Sequence, residues 1–209
     1  MKHFLIFIFT LFCFQTPVML HSDTFSDTLL LSDHLYSTRD NMGNLVQSIR
    51  EMESILSNPK ITLNEDQTYE IHWKLTRAYA YVDEFADYSR KDTLKHYKKG
   101  EEYAKKITTL RPKGVEGLYW YGVLLGRAGE FRGIFESLFS VGPIESSMKK
   151  IVQVDPTFGR AYFVLSRLYR KAPAFISVGN IQKAKTHIDL AIKNAPKGSY
   201  YLSFFLIEK

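Results

Sequence analysis

The chain has 209 residues, 45% of them apolar and 14% aromatic, which is enough to bury one sizeable core and excludes a disordered polypeptide. Its +6 charge arises from 28 Lys and Arg against 22 Asp and Glu, interleaved as in Lys149-Lys150 before Asp155, so no dense nucleic-acid-binding arm stands out. A single cysteine, Cys13, excludes a disulfide framework.

Met1-Lys2-His3 is a short positive head. Phe4 to Phe14 is an apolar run interrupted only by Thr10, and Gln15, Thr16 and Pro17 end it. A charged head, a short apolar body and a helix-breaking flank predict a secretory signal over residues 1–22, cut after Ser22. The alternative is a retained N-terminal anchor, although the run is shorter than the roughly 20 residues a comfortable transmembrane helix needs. Cys13 raises the possibility of acylation, against which the bulky Phe12 before it argues. Cleavage after Ser22 leaves no cysteine. Export without disulfides points to a periplasm or another cell-envelope setting.

Residues 23–60 form an N-terminal helical segment. A weak helix is expected from Thr28 to Tyr36. Met42, Leu45, Val46, Ile49, Met52 and Leu56 then share one face, with Asp40 or Asn41 as cap and Asn58-Pro59 as stop. Residues 61–209 continue with period 3.6. A helix opening near Asn64 carries Tyr69, Trp73, Thr76 and Ala80. The next starts at Asp92 and sets Tyr97, Gly100, Ala104 and Ile107 in register. Helices follow over Gly117 to Gly126 and Ile144 to Val154. Ala161, Val164, Leu165, Leu168 and Tyr169 mark another, and Ala184, Ile188, Ala191, Ile192 and Ala195 its successor. Residues 200–209 suit a capping helix. Pro112, Pro156 and Pro196 each follow an apolar helix, at separations of 44 and 40 residues. Proline lacks the donor a continuing helix needs, so the three mark stops in a recurring helix pair. The fold class is therefore all-α, a helical-repeat solenoid of about three long antiparallel pairs after the N-terminal helices.

Small and large residues recur within these pairs. Tyr162, Leu165, Ser166 and Tyr169 precede Ala184, Ile188, Ala191 and Pro196. Leu118, Tyr121, Gly122 and Leu125 precede Ile144, Met148, Ile151 and Pro156. Trp73, Thr76, Arg77 and Ala80 precede Gly100, Ala104, Ile107 and Pro112. The pattern resembles the tetratricopeptide repeat, although each pair exceeds its 34-residue period through a longer internal connection, such as residues 171–180. Those long pairs, with Asp155-Pro156, Pro173, Gly179 and Lys183-Ala184, look like the T-component (TatT) family of periplasmic accessory proteins of TRAP transporters. The resemblance covers roughly residues 65–200. It implies a substrate-binding protein as partner and a small organic acid as alternative ligand.

The six histidines show no metal-binding spacing, and no nucleophile elbow or phosphate loop appears. The expectation is a non-catalytic protein without cofactor or metal that binds a protein partner, with membrane association through its N-terminus as a further option. Asp83, Glu84 and Asp87 read as a solvated face. Gly122 and Gly126 suit either a ligand channel or close helix packing. In the resembled repeats the first helices line a groove, and the matching positions here are Tyr119, Arg127, Arg160, Phe163, Arg167, Arg170 and Lys171. Guanidinium forks beside aromatic rings suit carboxylates, so the candidate groove accepts an anion. The plainer alternative is a solubilising stripe.

Overall fold

A computed structural model describes residues 25–41 and 43–208. The expected signal or anchor over residues 1–22, with Cys13, lies outside the described residues, as does Met42. Among the described residues all regular structure is helical: α1 (Phe25–Ser37), α2 (Asn44–Ser57), α3 (Glu65–Tyr79), α4 (Val82–Phe85), α5 (Arg90–Leu110), α6 (Val115–Arg132), α7 (Ile134–Val154), α8 (Gly159–Lys171), α9 (Ile181–Lys193) and α10 (Tyr200–Glu208). None is long and apolar enough to cross a membrane.

The helices pack as successive antiparallel pairs, α1 with α2, α3 with α5, α6 with α7 and α8 with α9, and α10 closes the end. Small residues set the close approaches. Ser32 and Ser48 hydroxyls meet at 2.9 Å between α1 and α2. Ser166 of α8 donates to the Ala184 carbonyl of α9 at 2.8 Å. Large residues fill the space between. Leu75, Tyr79, Tyr97 and Leu124 are fully buried in the first half, and Met148, Ile151, Leu165 and Tyr169 in the second. Each such side chain contributes about 1.5–3 kcal/mol by leaving water. Tyr81 and Val123 pack against both clusters, so the core runs unbroken through the pairs.

Local chemistry explains the helix ends. Asn64 and Gln67 form a reciprocal capping box at the start of α3. α5, α7 and α9 end two or three residues before Pro112, Pro156 and Pro196, as their prolines require. Two starts differ from expectation. α5 is capped by Ser89, which accepts from the Asp92 N–H, so it opens at Arg90 and not at Asp92. α2 starts after Gly43, in the left-handed region at φ +90°, and neither Asp40 nor Asn41 caps it. The Asn44 amide instead reaches back to the Thr38 carbonyl and hydroxyl at 3.1 and 2.9 Å, which ties the α1–α2 turn.

The largest departure lies in the second pair. Its expected internal connection is helical. α6 continues to Arg132 and α7 begins at Ile134, with Gly133 alone between them at φ +119°. Only glycine takes that conformation without strain. Pro143 stays inside α7. The carbonyl it leaves unbonded belongs to Phe139, an exposed residue where water is available. α3 also departs from a one-sided pattern. Ile71, His72, Lys74, Leu75, Thr76, Ala78 and Tyr79 are all buried, because α2, α5 and α6 enclose the helix. Lys74 tolerates this by pairing with Asp33 at 2.5 Å and Glu70 at 2.8 Å.

Candidate binding groove

A cavity of about 540 Å³ opens between α6, the first turns of α7, and α8. α6 supplies Tyr119, Val123 and Arg127, a stripe at spacings of four. α8 supplies Arg160, Phe163, Arg167 and Lys171, a stripe at three, four and four. Ile134, Leu138, Val141 and Ile144 of α7 form the apolar wall. The remaining sides come from Arg39 after α1, from Tyr81 and Phe85 around α4, and from Phe205 of α10.

Six of the seven sequence-derived candidates, Tyr119, Arg127, Arg160, Phe163, Arg167 and Lys171, line this one cavity. Arg170 does not. It is exposed and turned out of the α8 stripe. The groove positions of the resembled repeat gather the six, because they recur on the inner face of α6 or α8. Sequence reasoning missed Arg39, Tyr81, Phe85 and the α7 wall. Arg39 sits in a turn with no periodic signal, and the α7 wall before Ile144 lies where a loop was expected.

The cations divide into two kinds. Arg127 Nη2 donates to Asp83 at 2.9 Å and Glu84 at 2.8 Å, and its guanidinium lies 4.5 Å over the Tyr81 ring. Burial works against its charge, yet the two carboxylates outweigh that and push its pKa above the ordinary value. Asp83 and Glu84 are thus committed to an ion pair at the cavity rim, where a purely solvated face was expected. Arg160 pairs with Glu116 at 2.8 Å, and Lys171 with Glu130 at 2.7 Å. Arg39 and Arg167 form no ion pair among the described residues. Arg39 lies over the rings of Tyr36, Phe85 and Tyr81 at 4.6, 5.0 and 5.5 Å. It donates to the Tyr36 carbonyl at 3.0 Å, and its Nε is buried without a partner. Arg167 lies 5.9 Å from the Phe163 ring.

Gly122 belongs to close packing, because a Cβ there would overlap the Met148 methyl. Gly126 is looser, with Ile144 at 3.7 Å from such an atom. Both also border the cavity. Among the described residues no group of three or more His, Cys, Asp or Glu is placed to hold a metal ion.

The family model for Regulator of microtubule dynamics protein 1-3 matches residues 35–172, about two thirds of the chain, from the end of α1 to just past α8. No curated protein matches the chain. The family match corrects the assignment to the tetratricopeptide or T-component families drawn from sequence. Helix pairs of any ancestry need small residues at close approaches and large ones in the gaps, so Leu165, Ser166 and Ala184 report architecture and not descent. The TRAP transporter as partner rested on that resemblance and loses its support with it.

Proposed function

The chain belongs to the Regulator of microtubule dynamics protein 1-3 family, and from that membership we propose that it is a non-catalytic interaction module whose groove docks an acidic protein segment. The observation that carries this reading is the pair of guanidiniums without an ion-pair partner among the described residues, Arg39 and Arg167, on the walls of one aromatic cavity. Guanidinium forks bind carboxylates through paired N–H donors, and apolar walls strengthen that attraction by excluding water. A cavity of about 540 Å³ takes a few side chains and not a whole helix. The occupant is therefore a segment that lies along the groove and inserts Asp or Glu beside an apolar residue.

The non-catalytic character is supported by the cavity lining. It includes no His or Cys, and its carboxylates Glu84 and Glu130 are each held by a cation. The family's namesakes are described as regulators of microtubule dynamics. For this chain the microtubule is the first partner proposed. The test is cosedimentation of the purified full chain with polymerised tubulin over a range of salt. Arg39→Ala with Arg167→Ala should weaken binding about tenfold or more, while Arg170→Ala serves as a control with little effect. Unchanged binding in the folded double variant sinks the groove reading. Delivery to a membrane or export by residues 1–22 remains part of the proposal, supported by their charged-then-apolar order. A fusion of residues 1–22 to a fluorescent reporter that stays diffuse in the cytosol overturns it.

A further inference from the structure

The interleaving of charges fails most over one long stretch. Between Asp155 and Asp189 the chain carries Arg160, Arg167, Arg170, Lys171, Lys183 and Lys185 and no acid. The loop over residues 172–180, which joins α8 to α9, lies inside this stretch. Its base is pinned. The Asn180 N–H donates to the Tyr169 carbonyl at 2.8 Å, and the Asn180 side chain accepts from the Lys183 N–H at 2.8 Å. Gly179 lies so close to the Ala172 carbonyl that a Cβ there would overlap it. A loop closed at its base projects its tip, and this tip is apolar: Phe175 is 103% and Ile176 71% exposed. Ile134, Phe135 and Phe139 are exposed at the start of α7. Ile134 shares the cavity wall with Pro173 of the loop, which places both apolar groups at the same mouth.

We propose that the α8–α9 loop is a membrane-contact element, in which Phe175 and Ile176 enter the interface of an anionic lipid bilayer while Lys183 and Lys185 meet its phosphates. Full exposure of a Phe–Ile tip gains nothing in water, and contiguous exposed apolar surface marks a contact site. The tip is convex, so it needs a surface that yields to it. Two cations two residues apart on α9, Lys183 and Lys185, follow the loop, which matches an anionic surface. Lys183 and Lys185 are exposed, and neither forms an ion pair among the described residues. α9 places Lys183 in its first turn and no acid there, against the preference of a helix N-terminus. An anionic partner removes that penalty. Aromatic insertion with flanking cations is how peripheral elements hold to lipid surfaces. This proposal stands apart from the groove reading, since its contact residues, Phe175, Ile176, Lys183 and Lys185, include neither Arg39 nor Arg167.

The experiment is cosedimentation of the full chain with vesicles of phosphatidylcholine alone or mixed with phosphatidylserine. Residues 1–24 are present in every variant, so the differences between variants isolate the loop. Phe175→Ser with Ile176→Ser should lower the partition coefficient about tenfold or more, because the apolar tip is lost. Lys183→Ala with Lys185→Ala should lower it about tenfold on the anionic vesicles and leave it unchanged on the neutral ones. These side chains are exposed, so the fold is retained, as thermal melting by circular dichroism checks. As a local readout, Phe175→Trp should show blue-shifted emission on anionic vesicles after subtraction of the wild-type signal from Trp73 and Trp120. Equal partition of the Ser variant and the wild type overturns the proposal. So does emission from the Phe175→Trp variant that anionic vesicles leave unmoved, the result expected if the loop seats in a protein partner.

Discussion

Replacing Gly100 and Gly126 separately by alanine should change stability in opposite directions, although both lie inside helices. A Cβ at Gly100 would stand 2.7 Å from the Cβ of Tyr79 and 3.2 and 3.3 Å from the Leu124 methyls. Two Cβ atoms cannot rotate apart, because each is fixed to its backbone. α3 and α5 must therefore separate. Such overpacking costs about 1–3 kcal/mol, from which about 0.5–1 kcal/mol of helix propensity is regained. The net expectation for Gly100→Ala is a loss of about 0.5–2 kcal/mol. At Gly126 the nearest atom to a new Cβ is the Ile144 methyl at 3.7 Å, an ordinary contact. The propensity gain then stands alone, and Gly126→Ala should stabilise by about 0.5–1 kcal/mol. Urea unfolding of each variant against wild type reads both values. A Gly100→Ala variant as stable as Gly126→Ala would refute the close approach of α3 and α5.

Acid should destabilise the fold in two stages. Burial, with Lys106 or Lys99 nearby, holds the His72 and His96 pKa values below the ordinary 6.5, so stability present above that value falls as pH drops below it. Burial opposes ionisation of Asp33 and Glu53, but hydrogen bonds from Lys74 to Asp33 and from Lys99 to Glu53 outweigh it and lower both pKa values. Their contribution is complete above the ordinary 3.8 and 4.5 and is lost as pH falls through the lowered values. Melting temperatures measured from pH 8 to pH 3 should show both declines (about 6.5 and below about 4.5), and a flat profile from neutrality to pH 5 contradicts the first. Glu53→Gln should cost about 1–2 kcal/mol in urea unfolding, because the carboxylate accepts from Tyr79, Tyr103 and Lys99 at 2.7, 3.0 and 2.6 Å. Phe205→Ala should cost about 3 kcal/mol, since the ring is 1% exposed and stacks on Phe163 at 4.6 Å. A change under about 1 kcal/mol means that α10 does not cap the last pair.

Much of the helical framework was legible because its signals are local. Proline stops a helix within a turn or two wherever the rest of the chain lies, so Pro112, Pro156 and Pro196 marked the ends of α5, α7 and α9. Apolar residues three and four apart share a face, so Leu165, Tyr169, Ala184 and Ile188 could be placed in the core of the last pair before its partners were known. The repeat resemblance grouped Tyr119 with Arg127, and Arg160 with Phe163, Arg167 and Lys171, through fixed offsets along one helix face. It could not separate Arg170, since neighbouring positions on a stripe differ only in how the next helix covers them. Nor could it foresee that α6 and α7 run into each other across Gly133, because Pro143 reads locally as a break.

The commitments among the cations were decided only in three dimensions. By sequence Arg39, Arg127, Arg160 and Arg167 are equivalent basic residues. Folding brings Asp83 and Glu84 to Arg127, more than forty residues away in the chain, and Glu116 to Arg160 across a similar distance. It brings Arg39 to the same cavity as Arg167, and among the described residues supplies a carboxylate to neither. Helix formation depends on contacts three and four residues apart, which a sequence displays directly. Ion pairing falls off within a few ångströms of space, and the helix packing that sets those distances is not written at any one position.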